Sequence, residues 1–541
     1  MQFIYIIKVY SAGGEKNFKF YNRKILTDNI KTINNMNKDK LMLFGCGLLA
    51  TAAMQAEEAQ KPNIIYIMCD DMGYGDLGCY GQKYISTPNI DRMAAEGMLF
   101  TDAYAGSPVS APSRASLMTG QHTGHTKVRG NKEYRFGSIT YGKTTDPTQT
   151  GQEPYDPDHI ILPEIMKDNG YNTGMFGKWA GGYEGSESTP DKRGIDEYYG
   201  FMCQFQAHLY YPNFLNKYSK ADGDTEVTRD ILENNINYAM HGADYMNRRD
   251  YSADIIHRKA MEWIDKQSDE TPFFGIFTYT LPHAELIQPN DSILQAYRSS
   301  FCTEKTYGGD VSSRYNPTDC AHAQFAGMIT RLDAYVGEIF ALLKEKGFDE
   351  NTIVVFTSDN GPHEEGGADP AFFNHDGKLR GTKRSTHEGG IRIPYIVRWP
   401  GKVAAGSVND HQLAFYDVMP TLCEIIGVEN YEEKYRNPDV ENDYFDGISF
   451  AKTLLGQEGQ EKHEFLYWEF HETNMMALRM GNWKMVVQNG NCRLYDLAND
   501  LHEDTDIASQ YPDIVAQMKK IILQEHTTSN IEQFNSITLP R

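Results

Sequence analysis

Ser110 opens the run Ser-Ala-Pro-Ser-Arg-Ala-Ser-Leu-Met-Thr-Gly over residues 110–120, a small hydroxyl side chain followed by Pro112 and Arg114. Proline suits the first turn of a helix, where its missing N–H would be unpaired anyway. Ser110 is therefore expected at a helix N-terminus, where free N–H groups and the helix dipole favour a bound anion. Arg114, one turn on, can fork onto a tetrahedral oxyanion or a carboxylate. Two acidic pairs offer only oxygen donors: Asp70-Asp71 within Asp-Asp-Met-Gly-Tyr-Gly-Asp, and Asp359-Asn360 within Ser-Asp-Asn-Gly-Pro-His. Adjacent carboxylates repel unless a cation neutralises them. Oxygen-only sets suit calcium, and magnesium less well, because calcium tolerates irregular geometry. Turn chemistry competes at each pair taken singly, since Asp-Asn-Gly is also a strong turn signal.

The elements that must carry these groups follow from the apolar pattern. Strand-length runs at Asn63–Met68, Tyr171–Phe176, Phe273–Tyr279 and Thr352–Thr357 stop abruptly in polar chemistry: Asp70-Asp71, Lys178, His283 and Asp359-Asn360. Helical patterns lie between and around them, at Thr87–Glu96, Ile160–Asn169, Asp254–Lys266 and Gln324–Lys346. Strands alternating with helices imply a mostly parallel sheet. Ligands bind such sheets outside the carboxyl ends of the strands, so these four ends predict one crevice. Beyond about residue 440 the character changes. Glu464–Glu472, Met476–Arg479, Trp483–Val487 and Arg493–Leu497 read as short strands, and Pro512–His526 as a helix. The expected architecture is a large α/β domain over 57–440 and a smaller antiparallel subdomain over 441–541.

The 541 residues exceed one ordinary core. A net charge of −22 opposes binding to nucleic acid, which needs a basic footprint, and any anion site must supply its own cations. None of the 8 cysteines falls in a C-x-x-C pair. Cys302 and Cys320 flank a loop-like segment; an oxidising compartment would pair them and a reducing one would leave them free. Residues 1–35 carry no pattern that fits a folded element. From Met36, lysines and an apolar run at Leu41–Ala53 lead to small residues near Ala56, the layout of a secretory signal peptide too short for a membrane span. Residues 1–56 are thus read as a mis-started leader plus signal, and the mature chain as periplasmic or secreted. Cys46 offers a lesser, lipoprotein reading.

The full run at 110–120 resembles the signature of the formylglycine-dependent type I sulfatases, in its serine-type form. Leu379–Pro394 resembles that family's second diagnostic block, and the likeness spans roughly residues 60–525. It implies an alkaline-phosphatase-like fold, a sheet sandwiched by helices. It implies that Ser110 is oxidised to formylglycine (3-oxoalanine) by a radical-SAM maturing enzyme. Asp70, Asp71, Asp359 and Asn360 match the family's calcium ligands; zinc, used by the related alkaline phosphatases, would call for interleaved histidines. Lys178 and Lys383 match cations that clamp sulfate oxygens. His283 matches the general acid that protonates the leaving sugar oxygen. One departure stands out: the family commonly reads Gly-Lys-x-His, and here Ala180 occupies the histidine's place. His125, His208 or a carboxylate could substitute.

His208, His363, Asp369, His387 and His471 lie in or near these motifs and are candidates for sugar recognition. Gly177–Gly182, Gln206-Ala207-His208 and Ser358–Asp369 look like a bacterial branch that removes 4-O-sulfate from galactose or N-acetylgalactosamine by exo-action. His363 and Asp369 would then reach the terminal sugar's hydroxyls. The expected substrate is a sulfated glycan. A phosphate or phosphonate monoester hydrolase of the same superfold, and a catalytically inactive glycan-binding protein, are the other readings.

Overall fold

The computed structural model describes residues 60–541 apart from 132, 136–149, 205, 303–304, 310–314 and 441–442, together with two strands near the N-terminus. The chain forms two compact units, 1–61 and 62–541. In the first, Tyr5–Ser11 pairs antiparallel with Gly14–Phe20. This corrects the expectation of no element in 1–35: the β-branched and aromatic residues Tyr5, Ile6, Ile7, Val9 and Tyr10 fit an extended strand. The signal-like layout from Met36 and Cys46 lie outside the described residues.

The larger unit is built on a ten-stranded sheet. Its strands in chain order are β1 (Asn63–Cys69), β2 (Met98–Phe100), β3 (Asn172–Lys178), β4 (Glu197–Phe201) and β5 (Phe214–Ser219). They continue with β6 (Thr228–Ile231), β7 (Phe273–Thr278), β8 (Thr352–Ser358), β9 (Tyr395–Arg398) and β10 (Ser407–Asn409). Across the sheet the order is β6-β5-β4-β3-β7-β1-β8-β9-β2-β10. The central run β4-β3-β7-β1-β8 is entirely parallel, and antiparallel pairs occur only towards the edges. The four strands that end in polar chemistry, β3, β7, β1 and β8, are consecutive neighbours.

Every residue of β1 is buried. Its alternate side chains feed two different cores, as the period of two requires. Ile65, Ile67 and Cys69 join helices α1 (Pro88–Glu96), α4 (Ser252–Asp265) and α5 (Ala321–Lys346) on one face. Ile64, Tyr66 and Met68 join α2 (Ser110–Thr119), α3 (Leu162–Asp168) and α6 (Val418–Ile425) on the other. The sheet is therefore sandwiched by helices, as expected. Among the described residues no helix is long and apolar enough to cross a membrane.

A separate antiparallel sheet runs in sequence order from β11 (Leu466–Phe470) and β12 (Met475–Met480) to β13 (Trp483–Gln488) and β14 (Asn491–Asp496). One face packs on α7 (Pro512–Glu525) through Met476, Leu478, Met485, Met518 and Ile522. The other face meets the main body, where Trp468 and Ala477 pack with Tyr104, Ile391 and Tyr416. Trp468 Nε1 donates to the Ala105 carbonyl at 2.8 Å. Lys484, fully buried, donates to Glu388 at 2.6 Å, which ties β13 to the block at 379–394. This small sheet belongs to the same compact unit.

Candidate functional site

Ser110 is the first residue of α2, after an extended Val109, and its side chain is buried at the floor of a cavity of about 940 Å3. Its Oγ donates to Asp70 Oδ1 at 2.9 Å. Asp70 and Asp71 leave the end of β1, and Asp71 takes a left-handed φ of 64° that turns its carboxylate back over the strand ends. Asp359 and Asn360 leave the neighbouring β8, with Asp359 N–H continuing the ladder onto the Cys69 carbonyl at 3.1 Å. Asp71 N–H donates to Asp359 Oδ1 at 3.1 Å, and Asn360 Nδ2 to Asp71 Oδ1 at 2.7 Å. Gly361 follows directly, where a Cβ would meet the Gly389 carbonyl at 1.9 Å, so only glycine lets the block at 379–394 close against this turn.

Three cations answer the three carboxylates. Arg114 donates twice to Asp359 Oδ2, at 3.0 and 2.7 Å, and lies 3.6 Å from Asp70. Lys178, at the end of β3, donates to Asp70. Lys383 donates to Asp71 Oδ2 at 2.7 Å and to Glu365 at 3.3 Å. Burial would raise the Asp70 carboxyl, but Lys178, His283 and Arg114 hold it well below the carboxylate range. Asp71 is held down likewise, by Lys383 and His283 against burial. Asp359 is pushed up instead, by burial and then by the charge of Asp70.

The donor set fits a hard cation. The two acidic pairs offer only oxygen donors, and Asn360 Oδ1 is buried with no hydrogen-bond partner among the described residues. An orphaned amide oxygen beside three carboxylates is what a calcium-type ligand set supplies and what a zinc set does not. Asp70 and Asp71 also fall in a group with His283 whose donor atoms could share one ion.

His283 stands beside this cluster with Nε2 at 3.2 Å from Asp71 Oδ2 and 2.9 Å from Lys383 Nζ. Its Nδ1 points at the Ala284 carbonyl, so Nδ1 carries the hydrogen and Nε2 presents its lone pair to the lysine. Burial and then Lys383 push its pKa down to about 4. His208 stacks on it with centroids 4.6 Å apart and lines the cavity. Burial, His283 and Lys383 hold His208 well below its usual value.

The structure thus brings together Ser110, Arg114, Lys178, His283, Lys383, both acidic pairs and His208. The other candidates lie elsewhere. His363 is buried behind His283, 5.6 Å between rings, and does not line the cavity, which corrects its expected reach to a sugar. Asp369 caps the short helix Pro370–Phe373 through Ala371 N–H at 3.1 Å and also stays out of the cavity wall. His387 faces away, with Nδ1 3.1 Å from Glu503. His471 packs against Phe534, with ring centroids 5.0 Å apart.

At the departure from the family pattern, Ala180 is buried in a left-handed conformation with φ of 54°. His125 is not its substitute. It bonds Asp446 at 2.9 Å in a separate cluster with His122 and Glu525, where His122 Nδ1 accepts from Gly124 N–H. Gln204, absent from the sequence expectations, does line the cavity, and its N–H donates to Gln152 Oε1 at 2.8 Å. Glu365, Arg384 and Tyr315 were likewise not anticipated. Arg384 donates to Glu365 at 2.7 Å and Tyr315 at 2.8 Å. Lys383, His283 and Arg384 outweigh burial and keep Glu365 ionised far below its usual range. Tyr315 sits on the segment closed by a Cys302–Cys320 disulfide.

Comparison with known proteins gives this arrangement its context. A family model described as Sulfatase matches residues 62–428, and one described as N-sulphoglucosamine sulphohydrolase, C-terminal, matches 381–528. The N-acetylgalactosamine-6-sulfatase of Mus musculus is 31% identical over 459 residues, covering 82% of this chain and 74% of that protein. The N-acetylgalactosamine-6-O-sulfatase of Bacteroides thetaiotaomicron is 29% identical over 565 residues, covering 91% and 99%. Among solved structures, Ps i-CgsB superposes with a TM-score of 0.67 at 29% identity, covering 87% of this chain and 94% of that one. The phosphonate monoester hydrolase of Agrobacterium radiobacter shares the fold, with a TM-score of 0.56 at 20% identity and coverage of 86% and 95%.

Proposed function

The chain belongs to the sulfatase family and is a sulfuric ester hydrolase, and from that premise we propose that it removes O-sulfate from the non-reducing end of galacto-configured sugars. One observation carries the chemistry: Ser110 Oγ, Lys178, His283 and Lys383 meet on the floor of one cavity, directly over the three carboxylates.

Asp70, Asp71, Asp359 and Asn360 would hold a calcium ion, which supplies a fixed positive charge against the sulfate oxygens and the nucleophile. Position 110, oxidised to an aldehyde by a radical-SAM maturing enzyme, supplies a hydrated carbonyl whose second hydroxyl lets sulfate leave after transfer. The rest is done by unmodified side chains. Asp70 holds the oxygen at position 110 in place and is the nearest base to it, at 2.9 Å. Lys178 and Lys383 line the same cavity and meet negative charge as it grows on the sulfate. At neutral pH His283 is neutral and Lys383 is charged, so the proton for the leaving sugar oxygen starts on Lys383 and passes at or through His283 Nε2, 2.9 Å away.

The galacto reading has two supports. The relatives reported above are named for N-acetylgalactosamine. The segments that resemble the galacto-specific bacterial branch also supply cavity wall, through His208, Glu364, Glu365 and Gly366. Those segments favour a 4-O-sulfate, whereas the relatives' names specify position 6; the proposal keeps position 4. Release of sulfate from singly sulfated monosaccharides by the matured protein tests it: 4-O-sulfated galactose or N-acetylgalactosamine should react fastest, and faster release from position 6 overturns the assignment. Turnover of aryl sulfate against aryl phosphate tests the phosphatase reading, which predicts the opposite preference. Export to a periplasmic or extracellular space is proposed with it, supported by the disulfide, which forms in oxidising compartments.

A further inference from the structure

Inside the cavity every cation already faces a carboxylate: Lys178 faces Asp70, Lys383 faces Asp71, and Arg384 faces Glu365. Two lining carboxylates are different. Glu364, on the loop after Asn360, accepts from the Thr382 hydroxyl at 3.3 Å, and Glu472, on the turn after β11, from Asn131 N–H at 3.1 Å, with the charge of Arg384 further off. Neither has a cation within ion-pair distance among the described residues, and both are exposed to the cavity mouth. Gln204, Asn131, Tyr307 and Gln533 add neutral polar groups there, and Arg384, 42% exposed and facing Glu365, adds a cation. Away from Lys178 and Lys383, three lining carboxylates, Glu364, Glu365 and Glu472, stand against Arg384. The mouth is therefore net negative, on a chain whose net charge is already −22.

We propose that this acidic mouth, with Glu364 and Glu472 on two different elements, selects sulfated sugars whose neighbouring residues carry no charge. It would reject chains bearing a uronic acid or a second sulfate beside the target. The inference rests on the carbohydrate-sulfatase reading and narrows its substrate class. An ionised carboxylate is an acceptor with no hydrogen to give, so it pairs well with sugar hydroxyls. The same oxygen repels a uronate or sulfate placed where the hydroxyl would be, and both rejected groups are anions at neutral pH. Recognition by hydroxyl pairing and rejection by charge thus come from the same two side chains. Both are solvated, so the repulsion is screened by salt, which separates it from shape exclusion.

The test uses two disaccharides that differ in one group: the sulfated galactoside linked to glucose, and the same galactoside linked to glucuronic acid. At low ionic strength kcat/KM should favour the glucoside by about fivefold to tenfold. High salt should shrink that ratio, and so should the double substitution Glu364→Gln with Glu472→Gln. Glu458→Gln, an exposed acid outside the cavity wall, removes charge without touching the mouth and should leave the ratio as it is. Equal turnover at low salt, a preference for the glucuronide, or a ratio indifferent to salt and to the double substitution overturns the proposal. If neither disaccharide loses sulfate, the carbohydrate reading falls on its own. Calorimetric binding of the same pair to the Ser110→Ala protein then decides: tighter binding of the glucoside upholds the acidic mouth, and equal binding refutes it.

Discussion

Lys383→Met removes the ammonium that stands between Asp71 at 2.7 Å, Glu365 at 3.3 Å and His283 Nε2 at 2.9 Å. The lysine side chain is only 5% exposed, so water does not replace it freely. Breaking a buried ion pair from one side costs about 3–5 kcal/mol. Arg384 stays on Glu365 at 2.7 Å, so Asp71 bears most of the loss and the expected destabilisation is near the lower end, about 3 kcal/mol. The catalytic effect has a distinct signature. In the native protein burial and Lys383 hold His283 at about 4, so it carries no extra proton at pH 7. Without the ammonium, Asp71 faces the ring at 3.2 Å and the histidine should climb from about 4 towards its ordinary range, with burial still opposing it. Sugar desulfation should therefore fall about a hundredfold or more above pH 7. It should then recover in part as pH drops below 7 and His283 takes up the missing proton. Denaturant unfolding of the chelated protein and sulfate release across the pH range read both effects. A variant as stable as the native protein, or one with the native pH profile, refutes this account of the Lys383–His283 pair.

His283→Ala should slow release from a sugar sulfate far more than from a nitrophenyl sulfate, because nitrophenolate leaves without protonation; equal losses would mean the ring is structural. Chelation should abolish activity, and calcium should restore it better than zinc. Asn360→Leu fills the orphaned oxygen's place with an apolar group, and titration calorimetry should show its calcium affinity lowered about tenfold or more; unchanged affinity would remove Asn360 from the ligand set. The chelated protein should lose stability as pH falls. His283 is at about 4 when folded against about 6.5 when unfolded, so its contribution is fully present above about pH 6.5 and is lost on the way down to about 4. That window is worth about 3 kcal/mol; buried His208 and His363 act in the same direction, whereas Asp359 and Glu285, pushed up by burial to about 6 and about 7, act in the opposite one. Comparison with His283→Ala isolates the ring: a stability–pH profile unchanged by that substitution would contradict the neutral-histidine assignment.

The central sheet and its reactive ends were legible because each buried strand is an unbroken apolar run that stops in a charged or amide residue. Asn63–Cys69 into Asp70, and Thr352–Ser358 into Asp359, are the clearest cases. That rule names strand ends and is silent about loops. Glu365, Arg384, Tyr315, Gln204 and Glu472 reach the cavity from turns with no periodicity, so nothing local distinguished them from surface filler. The same limit misled in the other direction. Asp369 lies in a motif-rich loop but spends its carboxylate on a helix cap, and His363 beside Pro362 turns inward behind His283. Proximity to a motif in sequence fixes neither where a side chain points nor what it meets.

The claim that position 110 supplies the nucleophile is tested most directly on the tryptic peptide Met93–Arg114 from the native host. Mass spectrometry should find it lighter than the serine form by one H2, reactive to a hydrazide, and present in proportion to sulfate released per molecule of enzyme. Protein made without a serine-type maturing enzyme should carry unmodified Ser110 and stay folded but nearly inactive. Full sulfate release by protein whose peptide is wholly unmodified serine would contradict the account.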